Sequence, residues 1–285
     1  MKAGIVAAIL VLAALLGPTG RARSEERVVL SAQDAISLPV LYQAAPNPIA
    51  SVILFVGGDG DLEHETGSFL LRVRDRFVAA GMSIAVPDTP SDHPGGFGPL
   101  FRTWTAHIMD IAAIVSFLKG KAPVPVWAVG TSNGTISTAS GAAALGPRAI
   151  AGVVLTSSVW RGGLGLVPVE KIAVPVLDIQ SRFDACPASL VGLSEQNMRR
   201  FKAAPEKRLI VVGASKHQGP RCGTGAPHDF YGVEDQVVPP IIDWIKAHVC
   251  AAPSPGPHQR GAATVALGCT SDMAGPANGR RRGLP

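Results

Sequence analysis

Five largely apolar runs alternate with amphipathic stretches along the middle of this chain. They are Ala50–Val56, Met82–Pro87, Val124–Val129, Ile150–Thr156 and Ala173–Gln180, and a shorter run, Arg208–Val212, follows them. A strand that is apolar at every position must be buried on both faces. The stretches between the runs carry helical spacing. In Ser68–Ala80, Phe69, Leu70, Val73, Phe77 and Val78 share one side, with Arg72, Arg74 and Arg76 outward, and Gly81 closes the segment. Strands buried on two faces and separated by amphipathic helices require a mostly parallel sheet covered on both sides. The remaining helices are expected at Thr103–Leu118, from Ser132 to Leu145, at Ser194–Ala203 and at Glu234–Val249. Two short strands, Arg27–Ser31 and Leu38–Gln43, read as an opening hairpin. The reading is thus an α/β chain with about eight strands.

The two ends read differently. Lys2 is followed by an apolar run from Ile5 to Leu16, then Gly17-Pro18 and small residues up to Ala22. That order of charge, apolar run and small residues is the pattern of an export signal, and the run is shorter than the ~20 residues that span a bilayer. Residues 1–22 are therefore expected to be a signal peptide, 23–250 the folded domain and 251–285 a disordered tail rich in Pro, Gly, Ala and Arg. Export implies a periplasmic or extracellular protein with no stable membrane insertion once the signal is cut. It also places Cys186, Cys222, Cys250 and Cys269 where they can pair, in any of three ways. No cysteine spacing suits a zinc site.

The formal charge of +5 sits at the ends. Lys2 and Arg21 supply two positive charges. Arg260 and Arg280–Arg282, set against Asp272, supply three more, so the region between is neutral. A neutral body has no electrostatic basis for gripping a phosphate backbone, which excludes a nucleic-acid partner. A small-molecule or acyl substrate is expected instead, with no metal and no cofactor.

One motif carries chemistry. The run P-V-W-A-V leads straight into G-T-S-N-G (Gly130–Gly134), and a small-residue helix follows. A serine on such a strand-to-helix turn has an exposed hydroxyl and a strained backbone. The helix N-terminus beneath it offers free N–H groups to a developing oxyanion. Strand, G-x-S-x-G and helix in this order resemble the α/β-hydrolase superfamily over about residues 27–250. The resemblance implies an α/β-hydrolase fold and a nucleophile, acid and histidine in that chain order. Ser132 is then the nucleophile.

Asp184, in the turn after the strand V-P-V-L-D-I-Q, stands where the superfamily's acid lies, while its rival Asp178 falls inside the strand. Two histidines compete for the base, His217 and His228. The sequence around His228, H-D-F-Y-G-V-E, is similar to the histidine loop of a poorly characterised group of secreted bacterial α/β-hydrolases. That group has a cysteine shortly after the acid and another shortly before the histidine. The resemblance thereby selects His228 and implies a Cys186–Cys222 bridge between the acid and histidine loops. It also implies an oxyanion hole from the N–H of Asn133 and a second N–H in the loop G-G-D-G, that of Gly58 or Asp59.

Asp92 and His93, after the fourth strand, and Trp160 with Arg161, after the sixth, are possible substrate contacts or plain loop residues. Only about 15 residues separate the sixth strand from Ala173, which leaves no space for a large cap domain. The sequence therefore favours an exported serine hydrolase acting on an ester through an acyl-enzyme. A peptidase or amidase with the same triad, and a non-catalytic binding protein of the same fold, are the alternatives.

Overall fold

The computed structural model describes residues 25–250 apart from 214, 215 and 217. The expected signal peptide, the expected tail, Cys269 and His217 therefore lie outside the described residues. Eight strands form one sheet: β1 (Glu26–Gln33), β2 (Ile36–Gln43), β3 (Ala50–Phe55), β4 (Met82–Pro87), β5 (Val126–Thr131), β6 (Gly152–Thr156), β7 (Val176–Ser181) and β8 (Lys207–Val212). Their order is β1-β2-β4-β3-β5-β6-β7-β8. β1 and β2 form an antiparallel hairpin, and β2 also runs against β4. From β4 to β8 every pair is parallel. The carboxyl ends of β3 to β8 thus open on one edge of the sheet, the edge where such folds build their sites.

Alternate residues of each central strand face opposite layers. Val52 and Leu54 of β3 join one core with α1 (Phe69–Ala79) and α5 (Glu234–Cys250). Ile53 and Phe55 join the other with α2 (Thr105–Lys121) and α3 (Gly134–Leu145). A short helix, α4 (Val191–Asn197), follows β7. Both faces are covered, which is why the runs lack a polar alternation. Between β6 and β7 the chain makes only two single 3-10 turns, Leu164–Leu166 and Val169–Lys171, and no cap.

Several element limits differ from the sequence reading. β5 runs two residues further than expected, to Thr131, and starts after Pro125, which has no N–H for the ladder. The helix expected from Thr103 begins as a 3-10 turn, Phe101–Thr103, and α2 itself continues to Lys121. The helix expected over Ser194–Ala203 starts earlier, at Val191, and gives way to a 3-10 turn at Met198–Arg200. There the chain turns Phe201 fully into the core against Trp160. Arg72 does not simply face outward; its guanidinium reaches the histidine loop.

Candidate active site

β5 ends directly at Ser132, whose φ is 54°. A side chain at positive φ is held there by its surroundings, and the glycines of the motif show how. A Cβ on Gly130 would lie 2.3 Å from the carbonyl oxygen of Gly134, and one on Gly134 would lie 2.0 Å from that of Phe55. The turn can be this tight only without those two side chains. Ser132 N–H is anchored on the carbonyl of Thr156, and α3 starts two residues later. The hydroxyl is thereby presented at the carboxyl edge of the sheet.

The structure brings three distant side chains together there. Ser132 Oγ lies 2.9 Å from His228 Nε2, and His228 Nδ1 lies 2.9 Å from Asp184 Oδ2. With Nδ1 protonated, Nε2 is free to accept the Ser132 hydroxyl. Asp184 and His228 are 6% and 2% exposed, so the pair works away from bulk solvent. Asp184 Oδ1 also accepts the N–H of Cys186 at 2.8 Å. Cys186 and Cys222 form a disulfide, which ties the turn of Asp184 to the loop of His228. Among the described residues no cysteine is free.

The histidine loop is pinned from three sides. Ser157 donates its hydroxyl to the His228 carbonyl at 2.5 Å. The buried Asp229 accepts the N–H groups of Phe69, at the start of α1, and of Gly225, and pairs with Arg72. Burial pushes the Asp229 carboxyl above its usual range, against the pull of Arg72. Arg72 reaches on to Glu234 at the start of α5 at 2.8 Å. None of these supports was singled out in the sequence.

Nor was Ser189. Its hydroxyl donates to Asp184 Oδ2 at 2.7 Å, and its oxygen is 3.0 Å from His228 Nδ1. It is fully buried between acid and histidine. Its only sequence signal is its place five residues after Asp184 in a short loop.

Asp178 lies elsewhere. It is fully buried inside β7, where Oδ1 accepts from Ser158 Oγ and Gln180 Nε2 at 2.8 and 2.6 Å. Burial raises its carboxyl to about 6.

The loop Gly57–Gly60 meets the turn at Ser132. A Cβ on Gly57 would stand 3.0 Å from Ser132 Cβ and 3.6 Å from its Oγ. Gly58 has φ 49°, and its carbonyl accepts Asn133 Nδ2 at 2.8 Å. Gly58, Asp59 and Asn133 line an open groove of about 350 Å³ whose far wall is the glycine-rich segment Gly95–Gly98. Asp92 Oδ1 lies 3.1 Å from His93 Nδ1, and the His93 ring lies 4.0 Å from that of Phe101. That packing makes His93 part of an aromatic cluster.

Trp160, expected as a substrate contact or a plain loop residue, is held in the core. It is 4% exposed, donates Nε1 to Ser194 Oγ at 2.9 Å and packs on Phe201. Its neighbour Arg161 is exposed. Among the described residues no group of three or more His, Cys, Asp or Glu side chains is placed to hold a metal ion.

The fold and strand order are those of the α/β-hydrolases, and solved structures agree. The chain is similar to Est1E from Butyrivibrio proteoclasticus, with 16% identity and a TM-score of 0.58, over 78% of this chain and 98% of that one. It is also similar to the Pyrococcus furiosus esterase Pf2001, with 16% identity and a TM-score of 0.57, over 79% and 92% of the two chains. A dienelactone hydrolase from Anabaena variabilis matches at 18% identity and a TM-score of 0.55, over 79% and 97%. No protein-family model matches the chain, and no curated protein matches it. At these identities the likeness establishes the fold.

Proposed function

We propose that this protein is an exported serine hydrolase that cleaves carboxylic esters through an acyl-enzyme. The observation that carries the reading is the unbroken line from Ser132 Oγ through His228 to Asp184, with 2.9 Å at each step. Ser132 Oγ attacks the acyl carbon while His228 Nε2 takes its proton. Asp184 holds the Nδ1–H tautomer and stabilises the imidazolium. The carbonyl oxygen becomes an oxyanion, which accepts the N–H groups of Asn133 and Gly58. Gly57 is the loop residue against Ser132, and we assign the second donor to the N–H that follows it, that of Gly58. The acyl carbon–oxygen bond then breaks, and the leaving alcohol takes the proton from Nε2. A water, deprotonated by the same nitrogen, attacks the acyl-enzyme, releases the acid and restores Ser132.

One of the structures this fold resembles, that from Pyrococcus furiosus, is named an esterase, which supports ester cleavage over amide cleavage. The Cys186–Cys222 bridge supports export, because disulfides persist in oxidising compartments. Among the described residues no helix is long and apolar enough to cross a membrane.

The test is labelling with a fluorophosphonate probe, followed by ester and peptide substrates assayed side by side. Wild type is expected to label and to turn over esters, Ser132→Ala to do neither. His228→Ala is expected to abolish turnover and His217→Ala to keep most of it. Absence of labelling in wild type would favour a binding protein, and faster peptide turnover would favour a peptidase. Labelling that survives Ser132→Ala would remove the nucleophile assigned above.

A further inference from the structure

Arg102 sits at the start of the segment leading into α2, yet it is 1% exposed. Its guanidinium lies against the loop that carries Gly58. Nη2 donates to the carbonyl oxygens of Gly57 and Gly58 at 3.2 and 3.3 Å. Nη1 donates to Ser137 Oγ at 2.9 Å, on the first turn and a half of α3. The Phe97 ring covers the guanidinium, with its centroid 4.7 Å from Cζ.

These three partners are neutral oxygens, not carboxylates. Burial lowers the guanidinium to about 10, so it stays charged at neutral pH. Ser137 passes the contact on, since its Oγ is 2.8 Å from His107 Nε2. Burial, reinforced by Arg102, lowers His107 to about 3, so the imidazole is neutral and can accept the Ser137 proton. Arg102 donates to Ser137, and the donor between Ser137 and His107 is set by the tautomer of His107. A buried cation whose hydrogen-bond partners are all neutral is expensive, and the Glu65 and Asp59 carboxylates offset part of that cost through space. Packing alone would be served as well by a methionine.

What the charge touches indicates its use. In a trans peptide the N–H points opposite to the C=O. The Gly58 N–H belongs to the same peptide as the Gly57 carbonyl. A guanidinium holding that carbonyl therefore turns the Gly58 N–H away from itself. Hydrogen bonds to a charged donor are roughly twice as strong as neutral ones, and they polarise the peptide beyond.

We propose that Arg102 is a positioning residue for the oxyanion hole, holding the Gly57–Gly58 peptide to the nucleophile's helix and strengthening the Gly58 N–H as a donor. This inference rests on the proposed hydrolase function. Arg102 touches no reacting atom; it acts through the peptide.

The experiment compares an ester with its thionoester in wild type, Arg102→Lys and Arg102→Met. Sulfur is a poor hydrogen-bond acceptor, so an intact hole turns over the ester much faster. Losing one oxyanion donor costs about 10²–10³ in kcat. Arg102→Met is expected to lose about a hundredfold in kcat on the ester, with KM within about threefold and the ester-to-thionoester ratio collapsing towards one. Arg102→Lys keeps the charge but cannot span both carbonyls and Ser137, and an intermediate loss is expected. If Arg102→Met does not fold, Arg102→Lys decides. Either variant retaining the wild-type ratio would overturn the proposal, including the case where both rates fall equally. A wild type that turns over no ester would overturn the hydrolase reading itself, a different result from an active wild type with indifferent variants.

Discussion

Removing the Cys186–Cys222 bridge should both destabilise the domain and slow it. The two cysteines are 36 residues apart in sequence. Cross-linking across that distance removes loop entropy from the unfolded chain worth about 4 kcal/mol at 25 °C. For a domain of this size each kcal/mol moves the melting temperature by about 2–4 °C. The Cys186→Ala/Cys222→Ala variant should therefore melt about 8–16 °C below wild type in thermal unfolding followed by circular dichroism. The Cys186 N–H holds Asp184 Oδ1, and Cys222 lies six residues before His228. Loosening both segments should lower kcat roughly tenfold, since small misplacements of catalytic groups are costly, and leave KM nearly unchanged. A loss below about 1 kcal/mol with unchanged kcat would refute the idea that the bridge sets the acid–histidine distance.

Three further outcomes are expected. Ser189→Ala should lower kcat about tenfold on the best ester substrate, with Ser189→Thr recovering part of it, because the acid loses a hydroxyl donor; steady-state kinetics at equal KM would check this. Asp178, raised from 3.8 to about 6 by burial, holds its proton more tightly folded than unfolded, so stability falls as pH rises from about 4 to 6. The cost is on the order of 3 kcal/mol above that window. Asp178→Asn should therefore gain stability over wild type at pH 8 and match it near pH 4 in denaturant titrations, with activity retained. Arg72→Met leaves the buried Asp229 carboxylate without its cation and should cost about 3 kcal/mol in urea unfolding; adding Asp229→Asn should recover part of that, and a loss below 1 kcal/mol would show the pair to be dispensable.

Much of the scaffold was written in local patterns. A strand covered on both sides is largely apolar, so β3 to β7 announced themselves, and the hairpin β1–β2 followed from two short runs with a polar turn between. The turn at Ser132 was legible because its requirements are consecutive in the chain: a strand end, two glycines that leave no room for a Cβ, and a helix. Element ends were less legible. The helix after Leu190 has the right composition, yet burying Phe201 against Trp160 sets where it tightens. Trp160 stood in a loop at the right edge, but burial against Phe201 and Ser194 is a tertiary fact that the loop's own residues do not encode.

The chain order of acid and histidine came from the resemblance to the α/β-hydrolases. By itself the sequence determined the doubly covered parallel sheet and the place of the strained serine. Those are properties of neighbours along the chain, set by periodicity, sterics and small residues. Only the tertiary structure decided which polar side chains meet: Ser189 between Asp184 and His228, Asp229 with Arg72, and Arg102 beneath Gly57 and Gly58. A serine or arginine has the same local chemistry in any loop. What gives it a role is the partner that folding brings within about 3 Å and the water that folding removes.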